Sequence, residues 1–292
     1  MGSKATTIDE QKKKLSDRGM VFENKEEIEK AKEILLDIGY YRLGFYWYYF
    51  QDDENHLFNE NVKLDDVVKL YYFDFDLKML LLRYIYRIEV HFRTQLVYYS
   101  SNHYSENNTW YRDPKIINNG IFEEFDRIYD TLKTKNNTLV KHHNKYEPCD
   151  YAPAWKVFEF LTFGQTFKFF SNLKNEELKK TISGVYGFRD VYLSMNYFTA
   201  LINIRNICSH NGALFDYNQP YGIKRIPNLY YRIKTQNTTN LNASIRLLLF
   251  ILSKVSKNRA NDLEMDLKKL FKEANECEAV SQIIKSKIMF DI

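Results

Sequence analysis

Between Leu64 and Tyr99 the chain contains neither glycine nor proline, the two residues that most often punctuate regular backbone. A stretch that long without a stop signal is read as one or two long helices, the main rod of the scaffold. Leu81, Ile85, Ile88, Phe92 and Leu96 recur at steps of three and four, which makes one apolar stripe. Arg83, Arg87 and His91 stand at four-residue steps on the opposite side, and Glu89 and Arg93 form an i,i+4 ion pair. The basic line is expected to face outward, as a solvated face or as one that contacts phosphate. Only 10 Gly and 5 Pro in 292 residues extend the helical reading to the whole chain, and the expected fold class is all-α.

The net charge of +4 permits a phosphate-bearing partner without demanding one. Aromatic residues make up 16% of the chain, and tyrosine serves either a core or base stacking. Cys149, Cys208 and Cys277 are far apart and odd in number, so neither a disulfide framework nor a zinc knuckle is expected. That usage fits a reducing compartment, the cytoplasm. The run Leu247 to Leu252 between Arg246 and Lys254 is too short to cross a bilayer, and no signal peptide is visible. Neither a membrane partner nor a cofactor is expected. Lys133 to Lys145 holds the adjacent His142 and His143; neighbours in sequence point to different faces, so the segment reads as a mobile basic loop, not a metal site.

Along the chain, residues 1–22 read as a flexible arm or a short exposed helix. Residues 23–62 hold a helix and a packed aromatic block around Tyr40–Phe50, closed by a turn at Asp52–Asn55. A central helical domain spans 63–240, with a loop at Ser101–Asn119 and a helix from Ala154 that continues to Leu173. Asp190 is a natural N-cap for the next helix, and Leu214–Tyr231 reads as an irregular excursion. Closing helices in 241–292 are expected to pack on the same domain.

The chemistry is concentrated in Leu201-Ile-Asn-Ile-Arg-Asn-Ile-Cys-Ser-His-Asn-Gly212. Helical geometry puts Leu201, Ile204 and Cys208 on a core face and Asn203, Asn206 and His210 on the other. Gly212 is expected to close the helix in a left-handed conformation, which leaves His210 in its last turn. The spacing Arg205-x4-His210, with Asn206 after the arginine, resembles the catalytic signature of HEPN ribonucleases. The same residues also fit simple helix capping. Residues five apart are about 140° apart on a straight helix, so Arg205 and His210 of one chain do not naturally face one point.

Four stretches, Tyr40-Tyr-Arg-Leu-Gly-Phe-Tyr-Trp47, Arg87-Ile-Glu-Val-His-Phe-Arg93, Ala154-Trp-Lys-Val-Phe-Glu-Phe-Leu-Thr-Phe-Gly164 and Arg205-Asn-Ile-Cys-Ser-His-Asn211, together resemble bacterial abortive-infection proteins of the AbiD/AbiF type. The resemblance implies an all-α, HEPN-like helical bundle with an N-terminal helical extension and C-terminal helices, and a role in defence against phage. It implies a metal-independent endoribonuclease with Arg205, Asn206 and His210 as catalytic residues. Single-stranded RNA is the implied substrate, and a structured noncoding RNA controls some relatives. HEPN nucleases pair two motifs in a composite site and this chain carries one, so a homodimer or an RNA-organised assembly follows. Arg83, Arg87, His91, Arg93, Asn203 and Asn211 are the candidate RNA contacts. The alternative is a HEPN-like RNA-binding and assembly module that cleaves nothing.

Overall fold

A computed structural model describes residues 4–52, 54–188, 190–210 and 212–288. Among the described residues the regular structure is helical, and β-pairing is limited to isolated bridges such as Gln51 with Phe58 at the base of the Asp52–Asn55 turn. The rod is one continuous helix. In chain order, α1 (Ile8–Asp17), α2 (Lys25–Asp37) and α3 (Tyr40–Trp47) precede α4 (Leu64–His103), whose 40 residues extend about 60 Å. After it come α5 (Phe122–Lys135), α6 (Asn137–Lys145), α7 (Ala154–Val157), α8 (Phe163–Asn172), α9 (Glu176–Gly184) and α10 (Val191–Ser209). An irregular strap leads to α11 (Leu241–Val255), α12 (Lys257–Ala274) and α13 (Glu278–Ile288).

The apolar stripe explains why α4 is the axis of the bundle. Leu81, Ile85, Ile88, Phe92 and Leu96 are at most 1% exposed, and α3 and α7 to α13 pack on α4 from several sides. Phe92 alone meets the rings of Phe163, Phe167, Phe170 and Phe198 at centroid distances between 4.5 and 6.0 Å. Each such ring stabilises the fold by about 1.5–3 kcal/mol, because its apolar surface is removed from water. A second aromatic cluster, Trp110, Tyr111, Phe125, Phe158 and Phe169, closes the far end of the rod. Most of the aromatic content is therefore core.

Several local expectations are corrected. Of the two readings of the N-terminal stretch the short helix holds: α1 starts behind a Thr7/Glu10 capping box and is exposed except on the side where Leu15 is buried, so it is docked and not a loose arm. The segment 133–145 is not a loop: α5 runs on to Lys135, and Asn136 caps α6 by accepting from Thr138 and Leu139. His143 is buried there, 2.8 Å from the Tyr129 hydroxyl, and His142 lies 3.1 Å from Lys156 Nζ. The helix expected from Ala154 to Leu173 breaks at Leu161, where Thr162 caps a new helix and exchanges hydrogen bonds with Gln165. The break frees the Leu161 carbonyl for a partner on α4. The C-terminal α13 follows a turn at Asn275–Cys277 and was not expected as a separate helix.

Candidate functional site

Asp190 begins α10 by accepting a hydrogen bond from the Tyr192 amide at 2.8 Å. The helix buries Leu201, Ile204 and Cys208, as the spacing requires. Its end differs from the expectation. Gly212 does not take the left-handed conformation; the last helical residue is Ser209, and His210 caps the helix in an extended conformation, its amide donating to the Asn206 and Ile207 carbonyls. His210 is exposed, as is Asn206. The cap turns the histidine out of the helical register, so the angle of a straight helix does not apply to it.

Arg205 leaves the core face of α10 toward α4, where its Nε lies 3.7 Å from Glu89 Oε2. Glu89 is buried and shared: its Oε1 also accepts from Arg93 at 3.1 Å. Arg93 in turn donates to the carbonyl of Leu161 at 3.0 Å, the residue at which the helix after Ala154 breaks. A helical Leu161 would have used that carbonyl within its own helix. Glu159 comes within 3.9 Å of Arg93 from the solvent side. In the buried part of the cluster two guanidiniums share one carboxylate, and the exposed Glu159 balances the second charge from the solvent side. Arg205 is the cluster's outlet, with 29% of its side chain exposed against 8% for Arg93.

The sequence-selected residues separate into distinct places. Arg93, grouped by sequence with the outward RNA contacts, is buried; it braces Glu89 and is closed to a phosphate. The Glu89–Arg93 pair is likewise interior and not a solvated surface pair, because α8 and the break before it cover it. Arg83 and Arg87 are exposed. His91 is half-buried, with its Nδ1 2.9 Å from the Tyr186 hydroxyl; burial and the nearby Arg87 charge lower its pKa. Two residues apart on a helix is about 200° around the axis, so Arg87 and Glu89 flank opposite sides of α4. The basic strip and Arg205 therefore do not share a face. Asn203 donates to Gln219 Oε1 at 3.1 Å, which ties α10 to the strap. Asn211 lies outside the described residues.

Sequence reasoning missed the anchor beneath the motif. Asp74 of α4 is fully buried, pairs with Lys78 Nζ at 2.6 Å, and accepts from the Tyr46 hydroxyl at 2.9 Å and from the Leu214 and Phe215 amides at 2.8 Å each. It fixes the chain immediately after the motif to the rod. Cys208 sits nearby, and burial pushes its thiol up to about 12, so it stays neutral core. The signal was present: seven residues back from Leu81 and Ile85, two members of the stripe, stand Asp74 and Lys78, an acid and a base in apolar positions. Gln219 of the strap is equally buried, donating to the Ala200 carbonyl and the Ser244 hydroxyl.

All four motif stretches converge on two buried carboxylates of α4, the anchors Asp74 and Glu89: Tyr46 on Asp74; Arg93 and Arg205 on Glu89, with Leu161 on Arg93. No group of three or more histidine, cysteine, aspartate or glutamate side chains is disposed to hold a metal ion among the described residues, and no helix there is long and apolar enough to cross a membrane. Comparison with curated proteins and with solved structures finds no match. A family comparison does: the sequence model described as "Abi-like protein" matches residues 33–216, which takes in all four stretches and both anchors. The chain belongs to this Abi-like family, and with it to the proteins of abortive infection, or phage resistance.

Proposed function

We propose that the protein is a metal-independent endoribonuclease of the HEPN type, acting in abortive infection of the AbiD/AbiF kind. The observation that carries this reading is the Arg205–Glu89–Arg93 cluster. A buried carboxylate, itself braced by Arg93, lies 3.7 Å from the motif arginine, whose side chain is 29% exposed on the last turns of α10, the stretch that carries exposed Asn206 and ends at exposed His210. Preorganised positive charge of that kind is what a phosphorane-like transition state needs.

In this reading neutral His210 takes the ribose 2′-hydroxyl proton as the 2′-oxygen attacks the adjacent phosphorus. The bond from phosphorus to the 5′-oxygen breaks, and the leaving oxygen takes a proton back from the imidazolium. Arg205 neutralises charge on the non-bridging oxygens, and Asn206 orients His210 or phosphate. The products are a 2′,3′-cyclic phosphate and a 5′-hydroxyl. DNA, which lacks the nucleophile, is spared.

The single motif is completed by a second copy of this chain. The surface for it is the exposed apolar line Phe75, Met79 and Tyr86 on α4, each between 43% and 62% exposed; Tyr86 stands three residues from Glu89 on the same side of the helix. A structured RNA is the further partner that relatives of this type suggest.

The test is incubation of the protein with single-stranded RNA in EDTA, followed by analysis of the new ends. Cleavage with cyclic-phosphate termini is expected from wild type and none from His210→Ala, which should bind RNA within a few fold of wild type. Undiminished cleavage by a folded His210→Ala protein, or activity that requires added divalent metal and leaves 3′-hydroxyl ends, rejects the mechanism. RNA binding without cleavage by wild type leaves a non-catalytic RNA module.

A further inference from the structure

Between the first two-thirds of α10 and the strap lies a cavity of about 590 Å³ that the proposed cleavage chemistry does not use. Its size is within the range of about 300–1,000 Å³ usual for small-ligand sites. Two tyrosines stand at it with their rings in solvent, Tyr192 on α10 at 61% exposure and Tyr221 on the strap at 78%. Rings of this size are unfavourable in water, and here two of them border one cavity of mixed polar and apolar lining. Lys224 Nζ sits 5.5 Å from the centre of the Tyr192 ring, so a cation accompanies the aromatic face.

The polar groups among its lining are held in place, beside apolar Met195, Ala200 and Ile223. Asn196 uses both ends of its amide on the strap, donating to the Gly222 carbonyl at 3.0 Å and accepting from the Lys224 amide at 2.9 Å. Ile223 donates to the Thr238 carbonyl, and a side chain at Gly222 would place its Cβ 2.6 Å from the Thr238 hydroxyl oxygen. Asn203 and buried Gln219 join at the inner end. Thr199 offers an exposed hydroxyl, and Asn203 Oδ1 accepts no hydrogen bond among the described residues. Stacking faces, a cation and amide-type donors and acceptors are what an unpaired nucleobase with its phosphate requires.

We infer that this cavity is a nucleotide subsite, in which a base stacks on Tyr192 and Tyr221, Lys224 meets the phosphate, and Asn203 and Thr199 read the base edge. The inference rests on the proposed RNA function and deepens it. Tyr192, Thr199, Asn203 and Asn206 follow one another along one face of α10 at steps of seven, four and three, a line that ends at the helix terminus where His210 stands. A single strand lying along that face would carry one base into the cavity and a phosphodiester toward Asn206 and His210 at the helix end, while Arg205, about 200° round the axis from Asn203, faces α4. The same chemistry would also accept a free nucleotide as an effector.

The experiment uses full-length His210→Ala protein, which removes turnover, and measures affinity for a short fluorescent single-stranded oligoribonucleotide and, by calorimetry, for adenosine and uridine 5′-monophosphates. Tyr192→Ala with Tyr221→Ala is expected to weaken the oligonucleotide about tenfold or more, since stacking on one aromatic is of about that order per base. Tyr192→Phe with Tyr221→Phe should restore it, because the ring and not the hydroxyl does the stacking. An oligonucleotide that binds while the monophosphates do not identifies an RNA strand as occupant; saturable monophosphate binding that disappears in the alanine protein identifies an effector. Unchanged oligonucleotide affinity in a folded double-alanine protein, with no monophosphate binding, overturns the subsite, and so does failure to bind either probe. The nuclease reading is scored separately, by cyclic-phosphate ends from protein with His210 intact, so cleavage with an inert cavity removes the subsite alone.

Discussion

The rod carries two buried carboxylates that look alike and do different work. Asp74 has four donors around it, all inside: the Lys78 ammonium, the Tyr46 hydroxyl and two amides of the strap. Glu89 has two guanidiniums, of which one, Arg93, is interior and the other, Arg205, reaches the surface at a looser 3.7 Å. A saturated carboxylate whose partners are all buried is a fastener. One that shares itself between a brace and a partly open cation positions that cation and leaves its charge available. The difference separates what the fold needs from what a phosphate would use.

The largest effect is expected at Asp74. Asp74→Ala strands the Lys78 charge and two strap amides, and breaking a buried pair in this way costs about 3–5 kcal/mol. Denaturant unfolding should register that decrease, with the overall helix content preserved in the remaining folded fraction. A decrease below about 1 kcal/mol, the scale of an exposed pair, would mean that the strap finds other partners and that Asp74 is no fastener.

Arg205→Ala sharpens the contrast from the other side. Glu89 keeps Arg93, and a half-open pair at 3.7 Å is worth about 1 kcal/mol or less, so stability should barely move. Cleavage should fall about 10²–10³-fold in kcat, the scale seen when one preorganised transition-state donor is removed. If Arg205→Ala unfolds the protein as Asp74→Ala does, the two carboxylates are alike and the proposed role of Glu89 fails.

The contrast also marks how much was legible in the sequence. The rod, its stripe, the N-cap Asp190 and the half-core character of α10 follow from periodicity, because helical packing is written at steps of three and four. The motif stretches were visible as stretches, yet their meeting was not. Nothing in the spacing of Arg87–Arg93 says that Glu89 reaches across to Arg205, or that Leu161 must leave its helix to offer Arg93 a carbonyl. Arg93 was assigned outward because an i,i+4 pair on a helix is usually solvated; the covering helix is encoded some 70 residues away. Asp74 was the readable exception, a charge at a stripe position. Segment 133–145 was misread because Lys and Asn suggest a loop, whereas Asn136 is a cap and His142 and His143 are partly core.

The strip Arg83–Arg87 tests whether RNA touches both flanks of the rod or one. Both arginines are exposed, so Arg83→Glu with Arg87→Glu should leave folding unchanged while weakening RNA binding. The slope of log affinity against log salt should become shallower by about 0.7 for each single-strand phosphate that the strip no longer neutralises. An unchanged slope confines recognition to the α10 flank and returns the strip to ordinary solvated surface.

The smallest effect expected is a pH dependence on the opposite flank from Arg205, at His91. Burial, aided by Arg87, lowers its pKa from the usual 6.5, so in the folded protein the ring prefers to be neutral against the Tyr186 hydroxyl. Between the lowered folded value and about 6.5 the unfolded chain binds the extra proton. Stability must therefore rise with pH through that window, and its dependence on this group levels off below the folded value, where both states carry the proton. His142 is shifted the same way by burial, Lys156 and His143, so both rings contribute to the slope and the two variants must be compared. Thermal melts of wild type, His91→Gln and His142→Gln between about pH 5 and 8, on either side of the usual histidine value, should show a shallower acid-side slope in each variant. Above about pH 7 the curves should run parallel, since both rings are then neutral whether folded or unfolded. A His91→Gln curve that tracks wild type through the acid range would mean that His91 takes up its proton as readily in the fold as in the unfolded chain, and so is charged at the acid end. The flank bearing Arg83 and Arg87 would then carry a third cation toward any bound phosphate.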